Sequence, residues 1–348
     1  MILTLPSNAV EIEPGLYQFT LPIPIKSLGS VFAYFAFDGK RNLLIDTGWS
    51  SPEAYEALDS SLASIGFSIS QVEKIVVSHL HPDHFGLVGE IKNHSTEAIM
   101  LMHHADAITI KKDQKDYVDF VVSLHEWLRI HGAPDQEFRS MLEASLELAK
   151  SFKPVRPDIE VFGGEQIHVG DKWNFEIIST PGHTQGNICL YEKGKSRIFF
   201  SGDHILPTIT PNVSLTPSYE GDPLGDYLHS LEMLKDYKVS KVLPSHEFIF
   251  TDLKKRIGEI ENHHKDRLAS AIKALDDHAE GLSAYEVATK LDWYTGSWEK
   301  LSAWERRAAM METLAHLEYL KRKGNVTEIQ SRAGNEERIL YANFDDCN

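Results

Sequence analysis

Short apolar runs, each closed by a polar loop, recur along the chain: Leu43-Leu44-Ile45, Ile75-Val76-Val77, Phe175-Glu176-Ile177-Ile178, Ile198-Phe199-Phe200 and Lys241-Val242-Leu243. Their length and β-branched content predict buried strands rather than helices. Over residues 1 to about 103 strands are expected at Gly15 to Thr20, Ser30 to Phe37, Asn42 to Ile45, Lys74 to Ser78 and Glu97 to Met102, with one helix at Pro52 to Ile65. Strands with occasional helices outside them predict a layered α/β domain. Between Ala105 and about Lys153 the period changes. Val118, Val121, Val122, His125, Leu128 and Arg129 fall at helical spacing, as do Met141, Leu142, Leu146 and Leu148, and Gly132-Ala-Pro134 separates the two runs. This predicts a helical hairpin, an insertion at about 105–160. Strands resume near Val161 and continue to Pro244, and Thr251 to Ala279 reads as helical.

The tail follows a different pattern. Helix Arg267 to Ala279 is followed by Ser283 and, three residues on, Glu286, the spacing of a capping box. A helix at Trp298 to Lys323 stops at Gly324, and two short strands, Val326 to Gln330 and Arg338 to Phe344, flank the turn-forming run Ser331 to Asn335. Three helices and a hairpin predict a winged-helix-like unit. The domain expectation is therefore 1–264 and 265–348.

The apolar runs matter because of what comes after them. Asp46-Thr-Gly, His79-Leu-His81-Pro-Asp83-His84, Pro181-Gly-His183, Gly202-Asp203 and Ser245-His246 each follow one of the five strands. Side chains raised from strand ends onto short loops can converge on one point. His79 and His81 share one side of their loop, while Asp83 and His84 turn toward a neighbouring point across Pro82. His183 adds a third imidazole for one ion, Asp203 a bridging carboxylate, and His246 an imidazole for the other. Nitrogen and carboxylate donors without thiolate suit zinc, with iron or manganese as alternatives. Two such ions bind a bridging water and leave hydroxide available at neutral pH. Asp83 is the expected catalytic carboxylate, orienting that nucleophile and taking its proton. Asp46 is expected to orient a ligand imidazole from outside the coordination sphere. His103, His104, His204, His263 and His264 have no matching motif and are expected at the surface.

Composition narrows the function classes. With 42% apolar and 25% charged residues in 348, the chain is ordinary for a folded protein. Its net charge of −16 disfavours unspecific attraction to nucleic acid or anionic membranes. Two cysteines far apart, and an N-terminus without a basic start and apolar core, point to a reducing, cytoplasmic compartment. No stretch reaches the roughly 20 apolar residues of a membrane span.

These motifs resemble those of the metallo-β-lactamase superfamily, over about residues 12 to 264. The resemblance implies a four-layer αββα sandwich in which His79, His81 and His183 hold a first zinc, Asp83, His84 and His246 a second, and Asp203 bridges. The Asp83-His84 pair differs from true β-lactamases, so antibiotic hydrolysis is not the expected task. The winged-helix-like extension is similar to that of β-lactamase-like endoribonucleases and thioesterase-like enzymes. Since it carries 12 basic and 15 acidic residues from position 265 on, structural use or a homodimer contact is expected above nucleic-acid binding.

Substrate is read from the insertion. Tyr117, Phe120, Leu124, Trp127, Leu128 and Phe138 offer either a roof for an acyl chain or a face that docks on the sandwich. Tyr219, in the loop after Asp203, is a candidate hydrogen-bond donor to substrate. The expected reaction is attack of a metal-bridging hydroxide on a thioester or related acyl ester of a small molecule. A single-strand endoribonuclease, a lactonase, and a non-enzymatic DNA-binding regulator are the alternatives.

Overall fold

A computed structural model describes residues 9–25, 28–110, 114–149, 153, 155–219, 221–294, 296–333 and 336–344. Gly334 and Asn335 of the expected tail turn, the N-terminal residues 1–8 and Cys347 lie outside the described residues. The chain divides into two compact units. Unit 1 comprises Met1–Lys111, Ser151–Thr208 and Leu234–Arg256; unit 2 comprises Lys112–Lys150, Ile209–Met233 and Ile257–Asn348.

Unit 1 contains two sheets. The first runs in the order β1 (Ala9–Glu13), β2 (Leu16–Pro22), β3 (Ser30–Phe37), β4 (Asn42–Ile45), β5 (Lys74–Val76), β6 (Ile99–His103) and β7 (Ile159–Val161). The first four strands pair antiparallel and the last four parallel. Between them run α1 (Pro52–Ser64), α2 (Pro82–Phe85), α3 (Val88–His94) and α4 (His104–Ala107). Helix α1 starts where Pro52 follows Ser51, whose hydroxyl accepts the Ala54 amide, and it buries Ala54, Ala57, Leu58 and Leu62 on one face. The second sheet has β8 (Gln166–Val169), β9 (Trp173–Ser179), β10 (Ile188–Glu192), β11 (Ile198–Gly202) and β12 (Lys241–Pro244) in the order β12-β11-β10-β9-β8. The core lies between the sheets. Leu43, Ile45 and Val76 of the first meet Phe175, Ile177, Phe200 and Leu243 of the second, all buried. The expected short apolar strands are these, and burial on both faces of the central ones explains why they do not alternate with polar residues.

Two registers place the chemistry. Parallel pairing of Ile45 with Val76 sets Asp46 and Ser78 side by side as the chain leaves β4 and β5. Pairing of Gly202 with Pro244 does the same for Asp203 and Ser245 beyond β11 and β12.

Unit 2 gathers α5 (Gln114–Ile130), α6 (Asp135–Ala149), most of α7 (Pro223–Leu234), the greater part of α8 (Leu253–Leu275), α9 (Ala284–Lys290) and α10 (Ala303–Arg322). A three-stranded sheet of β13 (Leu282–Ser283), β14 (Val326–Ala333) and β15 (Glu336–Asn343), in the order β13-β15-β14, completes it. The Ser283–Glu286 box caps α9, and a second box, Ser302–Glu305, caps α10. Here the structure differs from the expected division at 264. That position lies inside the uninterrupted helix α8, and the hairpin expected as an insertion of the first domain is part of unit 2. The reason is its apolar stripe: Leu124, Leu128 and Ala133 share one core with Ala271, Leu314, Leu317 and Tyr341. Among the described residues no helix is long and apolar enough to cross a membrane.

Candidate metal centre

All seven expected donors lie in unit 1 and come together. The loop after β5 carries His79 and His81, and His81 takes an extended conformation (φ −91°, ψ 150°) that starts α2 at Pro82. Proline suits that first helical position, since its missing amide proton would have had no partner. One turn of helix then presents Asp83 and His84. Gly86 ends the turn against backbone: a Cβ there would lie 2.4 Å from the Ser50 nitrogen and 2.6 Å from the Gly48 oxygen.

The donors form two groups. In the first, His79 Nε2, His81 Nδ1 and His183 Nε2 stand 3.0 to 3.2 Å from one another. Asp203 joins this group, with Oδ2 3.7 Å from His183 Nε2. The second group is Asp83, His84 and His246. Its ring nitrogens His84 Nε2 and His246 Nε2 each lie 3.5 Å from the other oxygen of Asp203, and His246 Nε2 lies 3.4 Å from Asp83. Asp203 therefore turns one oxygen toward each group. A tetrahedral ion with bonds of about 2.0–2.1 Å has ligand atoms about 3.4 Å apart, close to these separations.

Surrounding hydrogen bonds fix the rings. Asp46 accepts from His84 Nδ1 at 2.8 Å and from the Ser78 amide and hydroxyl at 2.7 and 2.8 Å. It does so from a left-handed backbone, φ 60°, a strained conformation for a residue with a Cβ. Ser78 Oγ also meets His79 Nδ1 at 3.0 Å. His246 Nδ1 donates to the Ser30 carbonyl at 2.8 Å, and the Ser245 hydroxyl donates to Asp203. Such outer contacts set tautomer and ring direction in metal sites. Asp106 ties two ligand loops together by accepting from the amides of Leu80 and Gly186 and the Thr184 hydroxyl, at 2.8 to 2.9 Å.

The electrostatics divide the same way. Burial, reinforced by the charge of His183, pushes the His81 imidazole down to about 3, and burial drives His79 well below its ordinary value. In the second group burial is outweighed: Asp203 and Asp83 raise His246 to about 10 and His84 well above its usual range. Both carboxyls are held low, against burial, by the imidazoles facing them.

These residues fit cations. The Nε2 atoms of His84 and His246 are sealed from solvent with no hydrogen-bond partner among the described residues, facing carboxylate oxygens beyond good hydrogen-bond geometry. A divalent ion satisfies both kinds of donor atom at once.

Residues 27–246 match the family model of the metallo-beta-lactamase superfamily. The chain belongs to that superfamily. Over 313 residues it is 26% identical to the probable metallo-hydrolase YqjP of Bacillus subtilis, covering 88% of this chain and 92% of that one. It is 28% identical over 218 residues to the acyl-coenzyme A thioesterase MBLAC2 of Bos taurus, covering 60% and 69%. Among solved structures, the metallo-beta-lactamase family protein TTHA1429 of Thermus thermophilus superposes with a TM-score of 0.79 at 27% identity, covering 95% of this chain and 99% of that one. The chain is thus a metallo-hydrolase with the expected α/β sandwich fold.

The Tyr219 hydroxyl donates to Asp226 at 3.0 Å, a contact that leaves its expected role toward substrate as it stood. Other expectations need correction. His103, His204 and His264 are buried, not at the surface. His103 accepts the Ala105 amide at the start of α4 and meets the Ser179 hydroxyl, so it supports the fold. His104 and His263 are half-buried. Ser78, Asp106 and Ser245 escaped the sequence reading. Ser78 and Ser245 adjoin motif histidines, which was a usable signal; Asp106 acts at a distance of 26 and 80 positions and had none.

Proposed function

We propose that the protein is a binuclear zinc hydrolase acting on a thioester or related acyl ester of a small molecule. The observation that carries the binuclear reading is Asp203, whose two oxygens face two separate groups of imidazoles. His79, His81 and His183 would hold one ion and Asp83, His84 and His246 the other. When bound, the cations supply Lewis acidity and lower the pKa of water to near neutrality. Asp83 is ionised at neutral pH, held low by His84 and His246 despite burial, and orients water and receives its proton. Asp46 and the Ser30 carbonyl keep His84 and His246 in the tautomer that leaves Nε2 as donor. In the overall reaction water adds its oxygen to the acyl carbon, the carbon–sulfur bond breaks, and the thiol leaves carrying a proton.

The acyl substrate class draws support from the bovine relative named a thioesterase. Zinc is favoured over iron or manganese by the imidazole-rich first group. A reducing cytoplasmic compartment and a homodimer contact through the tail complete the reading.

The test is a hydrolase screen of metal-replete protein against thioesters, lactones and phosphodiesters, run beside His81→Ala and Asp203→Ala. Saturable thioester cleavage that disappears in both variants supports the proposal. Phosphodiester or lactone turnover without thioester turnover overturns the substrate class, and full activity in either variant overturns the mechanism.

A further inference from the structure

Helix α10 carries two adjacent arginines in opposite circumstances. Arg306 is fully engaged: its guanidinium pairs with Glu137 and donates to the carbonyls of Trp298 and Glu299 at 3.2 and 3.1 Å. Arg307, one residue on, has neither an ion pair nor a hydrogen bond among the described residues, and its Nε is sealed from solvent without an acceptor. Its guanidinium carbon sits 4.1 Å from the centre of the Trp304 ring. Among the described residues, Tyr117 and His125 of α5 sense its charge. Burial pulls the guanidinium down to about 10.

The chain has carboxylates to spare, 51 acidic residues for a net charge of −16, and those on the same helix are committed elsewhere. Glu305 closes the α10 cap, Glu312 accepts from Asn212, and Glu318 pairs with Lys321 and Arg322. Arg307 is half-buried, with its Nε sealed, and a guanidinium in that setting without a counter-charge carries a desolvation cost that pairing normally offsets. Its planar fork matches the two oxygens of a phosphate or carboxylate, and contact with the Trp304 ring restrains where the fork sits.

We propose that Arg307, on its Trp304 shelf beside Tyr117 and His125, is the binding point for an oxyanion, a phosphate or carboxylate group carried by an organic ligand. The site lies wholly within unit 2 and stands independently of the hydrolase reading.

Calorimetric titration of the full chain with inorganic phosphate, adenosine 3′,5′-bisphosphate and butyrate tests it, with Arg307→Met and Arg307→Lys alongside. The expected result is sub-millimolar binding of at least one probe, weakened at least about tenfold by Arg307→Met and by less in Arg307→Lys, which keeps the charge but loses the fork. Phosphate or bisphosphate binding identifies a phosphate-bearing ligand, and butyrate binding alone a carboxylate. Oxyanions held by cations in unit 1 bind equally in all three proteins. Without ligand, Arg307→Met should melt at the same or a higher temperature, because it removes an unmatched charge while keeping most of the volume. Equal affinities in parent and Arg307→Met, no binding of any probe, or a clear drop in melting temperature for ligand-free Arg307→Met would overturn the proposal.

Discussion

Histidine does different work in the two units, and the contrast shows how a ligand imidazole differs from a structural one. In unit 2, His264 Nδ1 meets His316 Nε2 at 3.1 Å, and His316 Nδ1 meets the Glu312 carbonyl at 2.8 Å. Two neutral rings satisfy both of these contacts, each donating once. In unit 1, the three nitrogens of His79, His81 and His183 stand in a triangle with sides of 3.0 to 3.2 Å. No choice of tautomers satisfies a triangle, because a ring nitrogen that carries a proton has no lone pair to accept one. At most one side is a good hydrogen bond. A cation at the centre accepts all three lone pairs, so pairing marks structure and convergence marks ligation.

The largest effect should come from removing a member of the convergent set. His81→Ala or Asp203→Ala should lose bound metal and lower kcat/KM by more than about a thousandfold, since the nucleophile and its activation go together. His316→Gln, in the paired set, should keep full metal content. Metal analysis of the three purified proteins checks this, and metal loss in His316→Gln would break the contrast.

Gly86→Ala acts next. Its methyl group would have to displace the Ser50 and Gly48 backbone, which moves the turn bearing Asp83 and His84. We expect one metal equivalent to be lost while the second remains at His79, His81 and His183, together with destabilisation of about 2 kcal/mol or more. Retention of two equivalents at parent affinity would show that the close approach does not hold the second group. Asp46→Asn is milder: it removes the charge that fixes His84, and an outer contact of this kind is worth about 10- to 100-fold in metal affinity. A competition titration with a chromophoric chelator reads it, and unchanged affinity would remove Asp46 from the site.

The convergent set was legible because its residues follow buried strands in tight motifs, so local pattern and spatial position coincide. His79, His81, Asp83 and His84 fall in six consecutive positions. The paired set was not legible. His264 sits in the polar run Glu261-Asn-His-His264-Lys-Asp, which looks like a solvated helix face, yet it packs against Tyr227 and His316, 37 and 52 positions away. The membership of α5 and α6 was hidden for the same reason. Their apolar stripes are plain in the sequence, but which surface receives them depends on distant residues, Leu314 and Leu317 for α5 and Trp298 and Ala309 for α6. Arg307 is the extreme case: its next-door neighbour Arg306 is identical in type, and only the positions of Glu137 and Trp304 separate them.

The smallest expected effect sharpens the contrast by pH. Burial, with the charge of Lys321, pushes His131 down to about 4, and burial pushes His316 to about 3 and His264 well below its ordinary value. All three lie in unit 2. Their folded pKa values lie below the unfolded value, so the unfolded chain takes up protons first as the pH falls. The stability they contribute is present above about pH 6.5 and is lost as the pH falls through the window toward 4 and then 3. Each one that stays neutral costs at most about 1.4 kcal/mol per pH unit within that window. Amide exchange in α8 and α10 should therefore accelerate between pH 6.5 and 4.5, after correction for its intrinsic pH dependence. His131→Gln, which keeps a polar partner for the Tyr341 hydroxyl now 3.2 Å from His131 Nδ1, should flatten the slope by up to one such increment. Unit 1 has no single sign, because His81 is pushed down while His246 is raised to about 10. Exchange in unit 2 that stays constant from pH 7 to 4.5, or a slope unchanged by His131→Gln, would mean that these rings accept protons without leaving their partners.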